Sequence, residues 1–272
     1  MSSIHFSPQV SIIDQTWVHE FFVGKGDLFL RWFTLLEERG RKQAEGIAKI
    51  LHRYGARKVL DLCCGVGRIA IPLAELGFEV VGVDISSLYV QEARKKASER
   101  GVATRTKFMV GDVRKLSQHV SEYASFDAIL SVWTSIGYFE EADDLEIFKQ
   151  AREVTRKGGI LIIADTACKE SFLTREFREE DIMELEDLVA ISKSSYDPLT
   201  SRLRTRWRYY RKRGKDLEFV AEVEYNVRIY GINEVAKMLE ETGWEVLELY
   251  GDIVELQPYK LGRGLNLVAE AI

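Results

Sequence analysis

The chain has 272 residues, long for one domain and short for two, which points to a single large domain or one domain with an insertion. Apolar residues make up 46%, charged residues 30%, and there are only four prolines, a balance that excludes disordered and collagen-like chains. The formal net charge of −5, from 38 basic and 43 acidic side chains, leaves the molecule as a whole without attraction for nucleic acid or anionic lipid.

Uninterrupted apolar runs such as 160–164 are strand-sized, far below the roughly 20 residues a membrane-spanning helix needs, so no membrane partner is expected. Residues 1–10 lack a basic stretch leading into an apolar one, which makes the cytoplasm the default location. Cys63 and Cys64 are adjacent and Cys168 is distant, and the histidines at 5, 19, 52 and 119 are scattered. Neither set has disulfide or metal-ligand spacing, and we expect no metal.

In chain order, Leu28, Phe29, Trp32, Phe33 and Leu36 recur at helical spacing, as do Ala44, Ile47, Ala48 and Leu51. Residues 1–54 therefore read as an N-terminal helical segment, a lid or substrate element. From Lys58 short apolar runs alternate with amphipathic helices, the texture of a parallel sheet covered on both faces. The strands are expected at 58–62, 79–84, 107–110, 126–132 and 159–165, with helices near 68–76, 88–100 and 143–155. Over 168–230 the alternation breaks into two-periodic segments with turns at Asp197-Pro198 and Gly214, an antiparallel insertion that could serve as lid, substrate wall or contact in a homodimer. A helix at 232–241 and strands at 244–249 and 264–269 complete the core, which spans 55–167 and 231–272.

Residues 59–68, Val-Leu-Asp-Leu-Cys-Cys-Gly-Val-Gly-Arg, form a strand, a glycine turn and a helix start. Gly65 and Gly67 allow close backbone approach to a ligand, and the helix N-terminus offers unpaired N–H groups. Asp84 closes the second strand, 19 residues after Gly65, where a carboxylate can accept from both hydroxyls of a ribose. The run from Gly65 to Ala70 also fits the dinucleotide fingerprint, which keeps an NAD(P)-dependent oxidoreductase open as an alternative. Against it, Asp61 places negative charge where a pyrophosphate would lie and suits a cationic group instead. Asp112, after the third strand, offers an acceptor for an exocyclic amine.

This stretch resembles the class I S-adenosylmethionine-dependent methyltransferases. The resemblance implies an α/β, doubly wound, mostly parallel seven-stranded sheet of Rossmann-like type, closed by an antiparallel pair, with the β insertion after strand 5. It also implies S-adenosyl-L-methionine as cofactor and S-adenosyl-L-homocysteine as product. Asp61, Gly65 and Gly67 would meet the methionine end, Asp84 and Ile85 the ribose and adenine, Asp112 and Val113 the adenine, and Ser131 the methionine moiety. Residues 133–139, the insertion and 262–265 look like small-molecule methyltransferases, including deoxysugar N-methyltransferases.

In that light the reaction is an in-line SN2 transfer to nitrogen or oxygen of a small-molecule acceptor, where orientation alone supplies about 7–11 kcal/mol. Tyr138 and Glu140 are candidates for handling the acceptor's proton. Trp17, Phe21 and Phe22 are placed as a flap over the acceptor, Trp133 beside it, and Arg31 toward the cofactor carboxylate. A rival acceptor is RNA, for which Arg202, Arg204, Arg206 and Arg208 alternate with Leu203, Thr205, Trp207 and Tyr209, ahead of Arg211, Lys212 and Arg213. Glu218, Glu222 and Glu224 on the next segment could pair with them across strands, making the stripe a solvated face whose apolar reverse covers the site.

Overall fold

The computed structural model describes residues 16–133, 135–174 and 178–272. The expected helical segment before residue 16 and Thr134 lie outside them. The strands are β1 (Lys58–Leu62), β2 (Glu79–Asp84), β3 (Thr106–Val110), β4 (Phe126–Val132), β5 (Thr155–Thr166), β6 (Glu180–Leu185), β7 (Leu188–Asp197), β8 (Arg202–Arg213), β9 (Asp216–Arg228), β10 (Trp244–Asp252), β11 (Gln257–Pro258) and β12 (Leu265–Ala271). The α-helices are α1 (Thr16–His19), α2 (Gly26–Leu35), α3 (Glu37–Arg53), α4 (Ala70–Glu75), α5 (Ser87–Glu99), α6 (Leu116–Val120), α7 (Glu141–Glu153), α8 (Lys169–Phe172) and α9 (Ile232–Glu241), with a π-helical turn over Glu20–Gly24.

The main sheet runs β11-β10-β12-β5-β4-β1-β2-β3. Strands β1 to β5 pair in parallel, and β12, β10 and β11 follow antiparallel at one edge. The α/β class and the antiparallel closing pair are as expected. The strand count is eight rather than seven, because Gln257 and Pro258 add a two-residue edge strand. A proline argues against strand in a sequence, but an edge position tolerates its missing N–H.

Both faces of this sheet are covered, as successive side chains demand. Val59, Val80, Leu130, Ile160 and Ile162 pack beneath Ile47, Leu51, Leu73 and Val90 of α3, α4 and α5. Leu60, Val81, Ile129, Leu161 and Ile163 face Leu116, Ile147, Phe148 and Leu239 of α6, α7 and α9. Ser86 caps α5, its hydroxyl accepting from the Tyr89 amide, so the chain turns sharply at the end of β2 and holds Asp84 there.

The insertion is a separate antiparallel sheet, β6-β7-β8-β9, entered through α8 and left at Tyr230. One tether to the core is backbone: the Arg228 amide donates to the Gly137 carbonyl at 2.8 Å, where Gly137 has φ +89°. Arg202, one of the stripe, is buried instead of exposed, because it starts β8 against the core and donates to the Phe139 carbonyl at 2.8 Å.

Candidate active site

The carboxyl ends of β1, β2 and β3 open into a cavity of about 700 Å³, a small-molecule size. Its floor is the sheet edge; its roof is α2 with the π-helical turn and the inner face of the inserted sheet. Asp61, Gly65, Asp84, Ile85, Asp112 and Val113 all line the floor, as read from the sequence. Gly67 and Ser131 do not: Gly67, at φ +77°, serves the turn itself, and buried Ser131 faces a small neighbouring void with Ser135 and Asp144.

Asp84 is aimed by two backbone amides, Gly65 N at 2.9 Å and Ser86 N at 2.8 Å, which leave lone pairs for a ligand. Burial pushes its carboxyl up to about 6, against the pull of those amides. Asp61 is 2% exposed, and no donor among the described residues hydrogen-bonds to it. Burial pushes it up to about 7, with Arg68 opposing and Asp84 adding to the rise. A buried, unpaired carboxylate at a cavity edge is costly unless a cation arrives to meet it. Asp112 differs: it is half-buried, and Arg114 holds both its oxygens, at 2.7 Å for Nη2 to Oδ2. Little of its acceptor capacity remains for an adenine amine.

Two expected residues turn out to be engaged elsewhere. Arg31 does not line the cavity; its guanidinium bonds Asp187 at 2.6 Å and Glu186 at 3.2 Å, at the β6–β7 turn. Glu140 is exposed at the start of α7, 3.8 Å from Arg202, and also lies off the cavity. Arg68 is the basic residue that does reach the floor, its guanidinium 5.1 Å over the Trp133 ring and bonded to Gln43. It was legible only as the residue that follows the glycine turn.

The roof is aromatic. Tyr138 and Phe22 line it, 5.5 Å apart by ring centroid, and Trp133 lies beside them. Trp17 is buried one layer behind, edge-on to Tyr138 at 5.3 Å and to Tyr225 at 5.2 Å, so it supports the collar rather than touching a ligand. Phe29, Trp32, Phe33 and Tyr225 also line it; the first three belong to the helical spacing read as a lid or substrate segment, and Tyr225 was not singled out in the sequence. Phe33 sits 3.5 Å from where a Cβ on Gly65 would be. On β8, Leu203, Thr205 and Trp207 face the cavity while Arg204, Arg206 and Arg208 are exposed on the reverse. Arg206 and Arg208 are paired with Glu222 and Glu224 of β9.

Residues 59–159 match the methyltransferase domain family. The chain is 27% identical over 241 residues to a glycine/sarcosine N-methyltransferase of Aphanothece halophytica, covering 87% of this chain and 83% of that one. Among solved structures, the CcbJ methyltransferase of Streptomyces caelestis is similar at 25% identity and TM-score 0.71, over 85% of this chain and 89% of its own. CalS10 of Micromonospora echinaspora, an amino pentose methyltransferase solved with S-adenosylmethionine bound, shares the fold at TM-score 0.59 and 20% identity, over 86% and 94%. The oxidoreductase reading of the glycine turn falls with these matches, and Asp61 gives the physical reason, since an unpaired carboxylate repels a pyrophosphate. Residues 59–159 thus carry a methyltransferase domain, and the chain, similar over most of its length to class I S-adenosylmethionine-dependent methyltransferases, is an S-adenosylmethionine-dependent methyltransferase.

Proposed function

We propose that the enzyme methylates a nucleophilic nitrogen or oxygen of a small molecule held between the sheet edge and the inserted sheet. The observation that carries this reading is the roofed cavity itself: carboxylates on the floor, aromatic and hydroxyl side chains above, and the arginine face turned outward and paired. The residues fit the cofactor on their own chemistry, because buried Asp61 has no donor among the described residues and Asp84 is aimed with lone pairs to spare.

When bound, S-adenosylmethionine supplies a methyl group activated on a sulfonium. On this reading Asp61 meets the ammonium, Arg68 rather than Arg31 meets the carboxylate, and Asp84 accepts from the ribose hydroxyls. Ile85 and Val113 give the adenine an apolar slot, with Asp112 at its rim. Gly65 keeps the floor low, and Gly67 shapes the turn beneath it. Tyr138, Phe22 and Trp133 surround the acceptor and exclude water, so its nucleophile is held by packing and not by hydration. An amine acceptor must bind unprotonated, and a low-dielectric collar favours the neutral form. On this reading the Tyr138 hydroxyl orients the nucleophile or relays the departing proton, passing on its own as it accepts the nucleophile's.

Residues 168–230 act here as the acceptor wall and residues 16–54 as the lid. Production of S-adenosylhomocysteine, measured with small amines and alcohols and separately with RNA, tests the assignment. Turnover on small molecules that survives RNase supports it; turnover on RNA alone refutes it. Tyr138→Phe is expected to lower kcat about 10–100-fold if the hydroxyl handles a proton, within the range of general acid–base contributions.

A further inference from the structure

The wall of the cavity contributed by the insertion has a chemistry of its own. Strand alternation turns Ser192 and Ser194 of β7 and Thr205 and Trp207 of β8 toward the cavity, with Ser194 opposite Thr205 and Ser192 opposite Trp207. Ser192 and Thr205 are each only 6% exposed, so these hydroxyls belong to the interior. Ser194 Oγ and Thr205 Oγ1 lie 2.9 Å apart and share one hydrogen. Ser192 Oγ donates over a long 3.4 Å to the Asp181 carbonyl. Each hydroxyl has one hydrogen and two lone pairs, so the patch retains at least one hydrogen and most of its lone pairs for a ligand.

Charge narrows the ligand further. The described lining carries four acids, Asp61, Asp84, Asp112 and Asp181, against two bases, Arg68 and Arg178. Arg178 is exposed, as is Asp181, and Arg68 is committed to the floor. An anionic group would find no buried cation among the described residues of the hydroxyl patch to offset it.

We propose that Ser192, Ser194 and Thr205 determine acceptor specificity: they read a hydroxyl or carbonyl oxygen on an uncharged ring or chain that bears the nucleophile. The Trp207 ring packs the apolar side of the same body, and acceptors with a carboxylate or phosphate at that place are rejected. The inference rests on the methyl-transfer reading above.

The test uses the full chain with S-adenosylmethionine and three kinds of amine: hydroxylated (aminocyclohexanols), the matching deoxy amine (cyclohexylamine), and carboxylated (glycine, sarcosine, aminocyclohexanecarboxylate). Hydroxylated amines should exceed the deoxy amine about tenfold or more in kcat/KM, since a site with polar groups left unpaired penalises the analogue that lacks the oxygen. Carboxylated amines should give no turnover. Thr205→Val with Ser194→Ala should erase the preference through KM while leaving S-adenosylhomocysteine affinity unchanged, and Thr205→Ser should restore it. Equal turnover of carboxylated amines, an unchanged preference in the double variant, or no turnover of any hydroxylated amine by a protein that binds S-adenosylhomocysteine would each overturn the proposal. Failure to bind S-adenosylhomocysteine would instead overturn the cofactor assignment.

Discussion

On the proposed reading, Asp61 makes cofactor binding a titration. Its carboxyl rises from an ordinary 3.8 to about 7 because burial strips its water, with Asp84 adding to the rise and Arg68 opposing it. At about 1.36 kcal/mol per pH unit, holding it ionised costs the empty fold roughly 4 kcal/mol. The sign follows from the direction: the folded value lies above the unfolded one, so this group lowers stability as pH climbs from about 4 to about 7 and adds no further loss above that. A cationic ligand needs the ionised form and therefore displaces a proton below pH 7. Affinity for S-adenosylhomocysteine, which keeps the ammonium, should rise about twentyfold between pH 5.5 and 7.5 and then flatten. Asp84, pushed up to about 6, adds a few-fold at the acid end. Calorimetry in buffers of different ionisation enthalpy measures both the affinity and the protons released. Asp61→Asn should abolish most of the slope and weaken binding at pH 7.5 by about 10–100-fold, the cost of a lost hydrogen bond to a charged group. A flat wild-type profile, or an asparagine variant with the wild-type slope, refutes the reasoning.

Arg68→Met should weaken S-adenosylhomocysteine binding about tenfold while Arg31→Met leaves it unchanged, a contrast that equilibrium dialysis resolves; the reverse order would restore Arg31 to the site. Gly137→Ala places a Cβ 2.2 Å from the Arg228 carbonyl oxygen at φ +89°, so thermal unfolding should fall by an amount equivalent to about 3 kcal/mol or more. A melting temperature within a degree of wild type would mean the loop can shift without loosening the insertion. Arg206→Ala with Arg208→Ala removes exposed pairs that water already screens, and should change neither melting temperature nor small-molecule turnover; a large loss of turnover would revive the RNA reading.

The cavity floor was legible because its residues occupy positions that the chain itself marks. A strand must end where a glycine turn begins, so Asp61, Gly65, Asp84 and Asp112 could each be assigned to an edge by counting, and the parallel order then brings those edges together. Arg31 shows where counting stops. Helical spacing put Arg31 next to Trp32 on α2, but its partners Glu186 and Asp187 stand 155 and 156 residues away, at a turn whose approach to α2 no local pattern encodes. Glu140 was misread for a related reason: in sequence it adjoins Tyr138, yet α7 starts immediately after it and points it to solvent.

On the proposed acceptor wall, alternation along β8 was plain, and its orientation rested on the glutamates expected on the next strand. Two-periodicity divides Arg204, Arg206 and Arg208 from Leu203, Thr205 and Trp207, but it says nothing about which set faces the core. Pairing settles it: Glu222 and Glu224 lie across from Arg208 and Arg206 in register, so the charged face satisfies itself in water, and only the Leu-Thr-Trp face loses by exposure. The inserted sheet must then close over whatever apolar surface is left uncovered, which is the mouth of the main sheet beneath α2 and Tyr138. On the proposed reading, cofactor recognition follows from strand-end chemistry within residues 58–113. Acceptor recognition follows from how well the insertion's neutral face and the aromatic collar enclose the remaining space. Substitutions on that face should therefore change which acceptor is used before they change whether the cofactor binds.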